Sequence, residues 1–397
     1  MAREVSEFSG ELSRLMDERG VGVRELARQV PCNPGYVSNL RNGRKRPSPS
    51  LAERLDDVLD AGGTLVALAA GMFSAQARDG AEALDEATRL RVHALSGVQL
   101  DELVSHLSDQ WHGLVKTDNL LGPRHALGAV RVHLGVIDAL LQAARPAARQ
   151  RVLRIGARYA ESAAWLNEDA GDLRAAQYWT GRAMEWALEA GDRPMVAWTL
   201  FRRSQQVMRS RDAAQVAGLA AAARREADAE LAPPGMAAIL QQEAHAHALD
   251  GVEAACHRSL DDACDLAAAP DDPGDASGGH GSFCTHAYLD MQRGACWLTL
   301  GHPARAIAPL EAAIGALPPA YRRDRGVAFS HQAAALAAVC EPAEAGAAAF
   351  NALAIARESG SGRILHMVVQ IANALEPYSH LEQVAGLRES LAETPAL

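Results

Sequence analysis

The chain reads as one helix after another. Apolar residues recur at three- and four-residue steps, and clear alternating Val/Ile/Thr runs are missing. Phe8, Leu12, Leu15 and Met16 form a stripe on a first helix that Gly20 ends. Leu26, Ala27 and Val30 mark a second helix over Val23 to Val30, and Val37 and Leu40 mark a third over Pro34 to Arg41. Between them, Pro31 to Gly35 forces a break. Asn33 is placed to cap the third helix, and Pro34 suits its first position, where a missing N–H costs nothing. Gly43 is placed for the left-handed turn that closes it. Ser48 is expected to cap a fourth helix over 50–59, with Leu51, Leu55, Val58 and Leu59 completing a small core before Gly62-Gly63. Leu65, Val66 and Leu68 form either a last turn or the start of a linker.

Further on, Ala69 to Ala87 is weakly patterned, as a hinge or an exposed helix would be. Leu90, Leu95, Leu100, Leu103, Leu107 and Trp111 again allow helices. After Gly122-Pro123, the stripe Leu127, Val130, Leu134, Ile137, Leu140 and Leu141 predicts a strongly amphipathic helix over 126–144. From about Val152 the sequence becomes self-similar. Helix pairs are joined by Gly171-Asp172, Arg211-Asp212, Asp250-Gly251, Gly301-His302 and Glu341-Pro342, each followed by a small residue: Ala176, Val216, Ala255, Ala306 and Gly346. A period of about forty residues built of helix pairs means a solenoid, because no pair can bury its apolar face alone. One interval is longer and holds 269–282, which reads as a plain flexible loop by composition, with a lid as the alternative reading. The fold class expected is all-α.

The stretch from Val23 to Pro47 resembles the Cro/C1-type (XRE) family of helix-turn-helix DNA-binding domains. The resemblance rests on Glu25-Leu26-Ala27, Val37-Ser38-x-Leu40, Asn42-Gly43 and the Arg46-Pro47-Ser48 exit, and it covers about Glu7 to Leu68. It implies that the third helix enters the major groove. The family's base-facing positions fall on Pro34, Gly35, Ser38 and Asn39. Pro34 and Gly35 carry no side-chain donor, so base readout would fall to Ser38 and Asn39, with Tyr36 on a phosphate or a thymine methyl. Asn42, the Gly43 N–H, Arg44, Lys45 and Arg46 match the family's loop that grips the DNA backbone. One such module binds weakly, which implies a homodimer on a near-palindrome.

The repeats resemble degenerate tetratricopeptide (TPR) repeats, most clearly at Ala157 to Ala190 and Leu289 to Leu317, where Gly294 precedes Gly301 by seven residues. The resemblance implies that the first helix of each pair lines a concave face. Arg158, Glu161, Trp165, Glu168, Trp198, Phe201, Gln205, Tyr288, Met291 and His331 then face inward, as candidate contacts to a peptide or small-molecule effector. The competing reading makes Trp165, Trp179, Trp186 and Trp198 packing residues between helices. The division expected is a DNA-binding domain over 1–70, a helical linker over 71–121 and a repeat domain over 122–397. That layout resembles regulators joining this DNA-binding module to a TPR-type sensor, including the peptide receptors of the RRNPP group.

Composition narrows the functions. The formal net charge of −10 puts DNA contact on a local basic face rather than on the whole surface. The six cysteines show no paired spacing and read as reduced thiols in a cytoplasmic protein. No apolar run approaches the ~20 residues of a membrane span. His245 and His247 do not share a helix face, Glu168 and Asp169 diverge, and His280, Cys284 and His286 span a loop without fixed geometry. With no phosphate loop, nucleophile elbow or zinc-protease motif, the expectation is no enzyme, no cofactor and no metal. The leading expectation is a transcriptional regulator. The alternative is a TPR-type interaction scaffold with a helix-turn-helix that reads no DNA.

Overall fold

The computed structural model describes residues 2–30, 33–45, 47, 49–69, 86–144, 146–227, 231–269 and 279–394. It is all-α: among these residues there is no strand, only an isolated bridge between Ala268 and Thr285. The chain divides into two units, Met1–Gly80 and Ala81–Leu397.

The first unit is a head of short helices: α1 (Ala2–Glu18), α2 (Val23–Gln29), α3 (Pro34–Arg41), α4 (Pro49–Val58) and α5 (64–69). Phe8, Leu12, Met16, Leu26, Val30, Val37, Leu40, Leu55 and Leu59 are fully buried together. Val58 does not join them. It is 37% exposed, because the inward stripe of α4 runs through Leu51 and Leu55 to Leu59 and leaves Val58 off the seam. Its expected place is filled by Leu65 and Ala69 from α5, so that segment is a helix of the head. Asp56 on α4 secures α5. Its buried carboxylate accepts from the N–H groups of Gly63 (2.6 Å), Leu65 (2.8 Å) and Val66 (3.2 Å), three donors that an unstarted helix leaves open. The caps expected of Ser48 and the break at Pro31-Cys32 lie outside the described residues.

The second unit opens with α6 (Glu86–His93), α7 (Gly97–Leu121) and α8 (Pro123–Ala143). The stretch expected as a linker therefore belongs, from 86 onward, to this unit. Leu100, Leu107 and Trp111 of α7 are buried, Trp111 Nε1 donates to Ser162 Oγ (2.9 Å), and Tyr159 donates to the Leu107 carbonyl (2.8 Å). The apolar stripe of α8 also corrects an expectation. This helix is long and apolar enough to cross a membrane by length and composition, yet half of it is buried in the unit's own core.

Next come antiparallel pairs: α9 (Pro146–Ala170) with α10 (Leu173–Ala190), α11 (Arg193–Val207) with α12 (Ala213–Glu226), and α13 (Pro233–Leu249) with α14 (Glu253–Cys264). They continue with α15 (His286–Thr299) on α16 (Pro303–Ala316), and α17 (Arg322–Ala338) on α18 (Pro342–Ser359). Two last helices follow, α19 (Gly362–Ala374) and α20 (Glu382–Glu393). The turns repeat one device. A residue at positive φ ends one helix and an Asp caps the next: Gly171 before Asp172, Gly191 before Asp192, Arg211 before Asp212. Each of these carboxylates accepts from the N–H three residues on, at 2.9–3.1 Å.

The stack closes on itself. The last turns of α9 meet the start of α19, where a Cβ on Gly362 would lie 2.8 Å from the Ala170 carbonyl oxygen. The end of α7 meets α17, where Arg323 reaches Asp118 across 205 residues of chain. First helices of the successive pairs thus face a common interior.

Candidate functional site

That interior is a cavity of about 900 Å³ within the second unit, walled by α7, the odd-numbered helices from α9 to α19, and residues 279–283. Trp165 stands at its charged end. The guanidinium groups of Arg202, Arg363 and Arg323 lie 4.9, 5.0 and 5.6 Å from its ring centroid. Arg323 clasps Asp118 with both terminal nitrogens, and its Nη1 also reaches Asp169 Oδ2 at 3.0 Å. Arg363 Nε and Ser361 Oγ donate to Asp169 Oδ1 at 3.1 and 2.8 Å. Arg202 pairs with Glu168 at 2.9 Å and with Glu161 at 3.3 Å, and it donates to Gln205. Burial alone would raise Asp169, but Arg363, Arg323 and Ser361 hold it below the usual carboxylate range. Burial wins at Glu161 and Asp324, which are pushed up despite their guanidinium neighbours.

The opposite wall is neutral. Gln241 and Gln242 are 1% exposed. His245 Nε2–H donates to Gln292 Oε1 (2.8 Å), and Gln241 Nε2 donates to the same oxygen (3.4 Å). Gln241 Oε1 and Gln242 Nε2 have no hydrogen-bond partner among the described residues. His331 and His280 are both pushed down to about 4, burial being the main cause, so they are neutral near pH 7. The His280 ring stacks on Trp198 with centroids 5.0 Å apart.

The head presents a different surface. Asn33 Oδ1 accepts from the Gly35 N–H at 2.7 Å and starts α3 where the sequence predicts. Gly43 takes φ +66°, and the Arg44 N–H donates back to the Asn39 carbonyl at 2.8 Å. That lock fixes the exit of α3. Tyr36, Ser38 and Asn39 are half-buried on it, while Asn42, Arg44 and Lys45 are exposed beyond it. Lys45 Nζ lies 5.6 Å from the Tyr36 ring centroid, and Asn42 Nδ2 donates to Ser38 Oγ (3.4 Å). Arg46 lies outside the described residues. Residues 7–69 match a family model described as a helix-turn-helix domain. The head is a helix-turn-helix DNA-binding domain. Neither curated proteins nor solved structures give a match to the chain.

The helix-turn-helix head brings Tyr36, Ser38, Asn39, Asn42, Gly43, Arg44 and Lys45 onto one helix and its exit turn. In the second unit, Glu161, Trp165, Trp198, Gln205, Tyr288 and His331 line the one cavity. Two further candidates do not. Arg158 lies behind the lining, its guanidinium 5.7 Å from the ring centroid of Trp111, which does line the cavity, and Met291 is 1% exposed in the apolar core. Phe201, also expected inward, is core under Trp198. Trp179 and Trp186 pack between helices. Glu168 and Asp169 diverge as expected, Glu168 to Arg202 and Asp169 to Arg323 and Arg363. Of the loop expected over 269–282, residues 270–278 lie outside the described residues; residues 279–283 line the cavity, and Gly281 at φ +87° lies so close to Pro234 that a Cβ would meet its carbonyl oxygen at 2.4 Å. Arg202, Arg323, Arg363, Asp118 and Asp324 were not among the sequence candidates. Arg202 follows Trp198 by four residues, so helical spacing alone could have placed it. Arg323 and Asp324 open α17, where charge ordinarily reads as solvated capping.

Proposed function

We propose that the chain is a cytoplasmic transcriptional regulator of the Cro/C1 (XRE) type. The helix-turn-helix head binds operator DNA as one half of a homodimer. The second unit is a TPR-like solenoid that senses an effector in its cavity and performs no catalysis. The observation that carries the DNA half is the family match over 7–69, joined to the α3 exit that holds Arg44 and Lys45 in solvent. The effector half rests on the cavity, whose size falls in the range of small-molecule sites and is lined by a mixture of aromatic and convergent polar groups. An effector regulates only by binding one shape of the unit better than another.

Selection of genomic DNA fragments on the intact protein tests this reading. One motif should be enriched. Arg44→Ala combined with Lys45→Ala should weaken binding to every duplex at least tenfold and flatten the slope of log K against log salt by about 2. Asn39→Ala should change which base is preferred, by about 1–3 kcal/mol at one position. Unselective recovery, with the double variant binding like the parent, overturns the regulator reading in favour of the scaffold.

A further inference from the structure

The charges around the cavity answer one another. Among the described residues five arginines and four carboxylates line it, and a fifth carboxylate, Asp169, lies directly behind them between Arg323 and Arg363. Arg202 is met by Glu168 and Glu161, Arg323 by Asp118 and Asp169, and Arg363 by Asp169. The other two, Arg209 and Arg211, are exposed and screened by water. Nothing inside therefore calls for an ion. Burial acts against one of either sign, since it pushes Asp324 and Glu161 up and His280 and His331 down.

What the wall leaves open is hydrogen bonding. Gln241 and Gln242 of α13 both line the cavity and are almost wholly buried. Gln292 Oε1 receives the Gln241 amide nitrogen (3.4 Å) together with His245 Nε2–H (2.8 Å), which leaves Gln241 Oε1 turned away from Gln292. That oxygen has no hydrogen-bond partner among the described residues, and neither has Gln242 Nε2. Leaving a buried amide group unpaired costs more than a typical hydrogen bond contributes. Arg363 Nη2 is a second unpaired donor, whereas Arg202 Nε, also without a hydrogen bond, has Glu161 at 3.3 Å. Open donors around the cavity thus outnumber open acceptors. A matching ligand brings an acceptor first and a donor second, without net charge. Successive helix residues diverge, so the two glutamines meet it at separate points of one wall. A hydroxyl offers both roles on a single atom. An amide offers them on two, a carbonyl oxygen and an N–H, which suits side chains that point apart.

Building on the effector-site reading above, we propose that the cavity takes a small uncharged amide, its carbonyl oxygen accepting from Gln242 Nε2 and its N–H donating to Gln241 Oε1. The test uses four probes with one dansyl body: dansylglycinamide, which ends in an uncharged amide, the carboxylate dansylglycine, the ammonium N-dansylethylenediamine, and N-propyl dansylamide, whose end is apolar. Each is titrated into the intact protein and read by energy transfer from tryptophan, since all six tryptophans lie beyond residue 110. The amide should bind about tenfold more tightly than the propyl probe. Neither charged probe should exceed the propyl probe. Gln241→Met and Gln242→Met keep the side-chain length and remove its polar atoms. Each should cut the amide's advantage by about threefold or more, with the propyl probe's Kd unchanged as proof that the cavity is intact. Without any probe, Gln242→Met should raise the unfolding midpoint of the second unit, because an unpaired buried amide is gone. A lower midpoint would make Gln242 a residue kept for the fold and overturn its assignment. Tightest binding by a charged probe, equal affinity of amide and propyl, or an amide advantage that survives both substitutions overturns the amide proposal and leaves the cavity standing as an effector site. Failure of all four to bind saturably removes the effector site itself, and this proposal with it.

Discussion

The two units bury opposite kinds of surface. The head closes over apolar side chains from five helices, and its buried carboxylate, Asp56, is used up by three backbone N–H groups. The second unit closes a ring of helices around guanidiniums, carboxylates and a tryptophan, with space left inside. A dry core fixes one shape, which suits a surface that must meet DNA in register. A charged interior with a cavity suits a body whose shape answers to what fills it, because every ion pair there joins helices far apart in sequence. Arg323 links α7, α9 and α17, and Arg363 links α9 to α19.

The largest effect should come from breaking that ring. Arg323→Ala leaves Asp118 and Asp169 facing each other in the interior without their shared partner. Removing one member of a buried pair costs about 3–5 kcal/mol. Denaturant unfolding followed by tryptophan emission reports the second unit alone, and its midpoint should fall accordingly. Hydrogen exchange in α2 and α3 should stay as in the parent. A fall below ~1 kcal/mol would show that the ring is held by its apolar contacts and that the ion pairs are incidental.

Acid should separate the units next. The first histidine in the chain is His93, so the head carries none. In the second unit His280 and His331 stay neutral until about pH 4, whereas unfolded histidine titrates near 6.5. Below pH 6.5 the unfolded chain therefore binds protons that the fold refuses, and stability drops as pH falls toward 4. His133, His245 and His257 are shifted the same way, chiefly by burial. Between pH 7 and 5 His280 and His331 should each cost the second unit on the order of 2 kcal/mol, and His331→Gln should flatten the profile by about half of their sum. Head stability should hardly move. A second unit indifferent to this range would mean that these rings are hydrated and free to protonate.

The same contrast explains what could be read from the chain. Amphipathic spacing located the first four helices of the head but left α5 undecided between a last turn and a linker, while cap chemistry at Asn33 and Gly43 fixed the ends of α3, because those are local interactions a few residues long. The resemblance to TPR repeats, rather than spacing, put Glu161, Trp165, Trp198, Gln205, Tyr288 and His331 on inward faces, where they line the cavity. It could not show that the stack closes, since closure is made by partners 154 to 205 residues apart. Nor could it reveal the buried charges. Arg323 and Asp324 look like solvated helix-start residues, and Arg363 sits beside Gly362, whose close packing on Ala170 is invisible in sequence. The stretch 71–121, α7 included, read as a linker for the opposite reason: the buried positions of α7 are sparse because only one side of that helix is covered.

The smallest effect belongs to the head. Asp56→Ala leaves three N–H groups at the start of α5 without an acceptor, while the aliphatic core is untouched. Loss of a helix cap costs about 1–2 kcal/mol. Here the loss should be local, because α5 contributes Leu65 and Ala69 to the core and little else. Hydrogen exchange at residues 63–66 should speed up by roughly 5- to 30-fold, with the tryptophan-monitored midpoint of the second unit unchanged. Asp56→Asn keeps an acceptor oxygen and should recover part of the protection. DNA affinity should fall only as far as loosening of α5 is felt at α3, which the shared core between Leu65 and Leu40 transmits. If Asp56→Ala instead abolishes DNA binding while exchange at 63–66 stays slow, the carboxylate acts on the DNA-facing surface directly, and the picture of a head whose interior and binding face are separate parts is wrong.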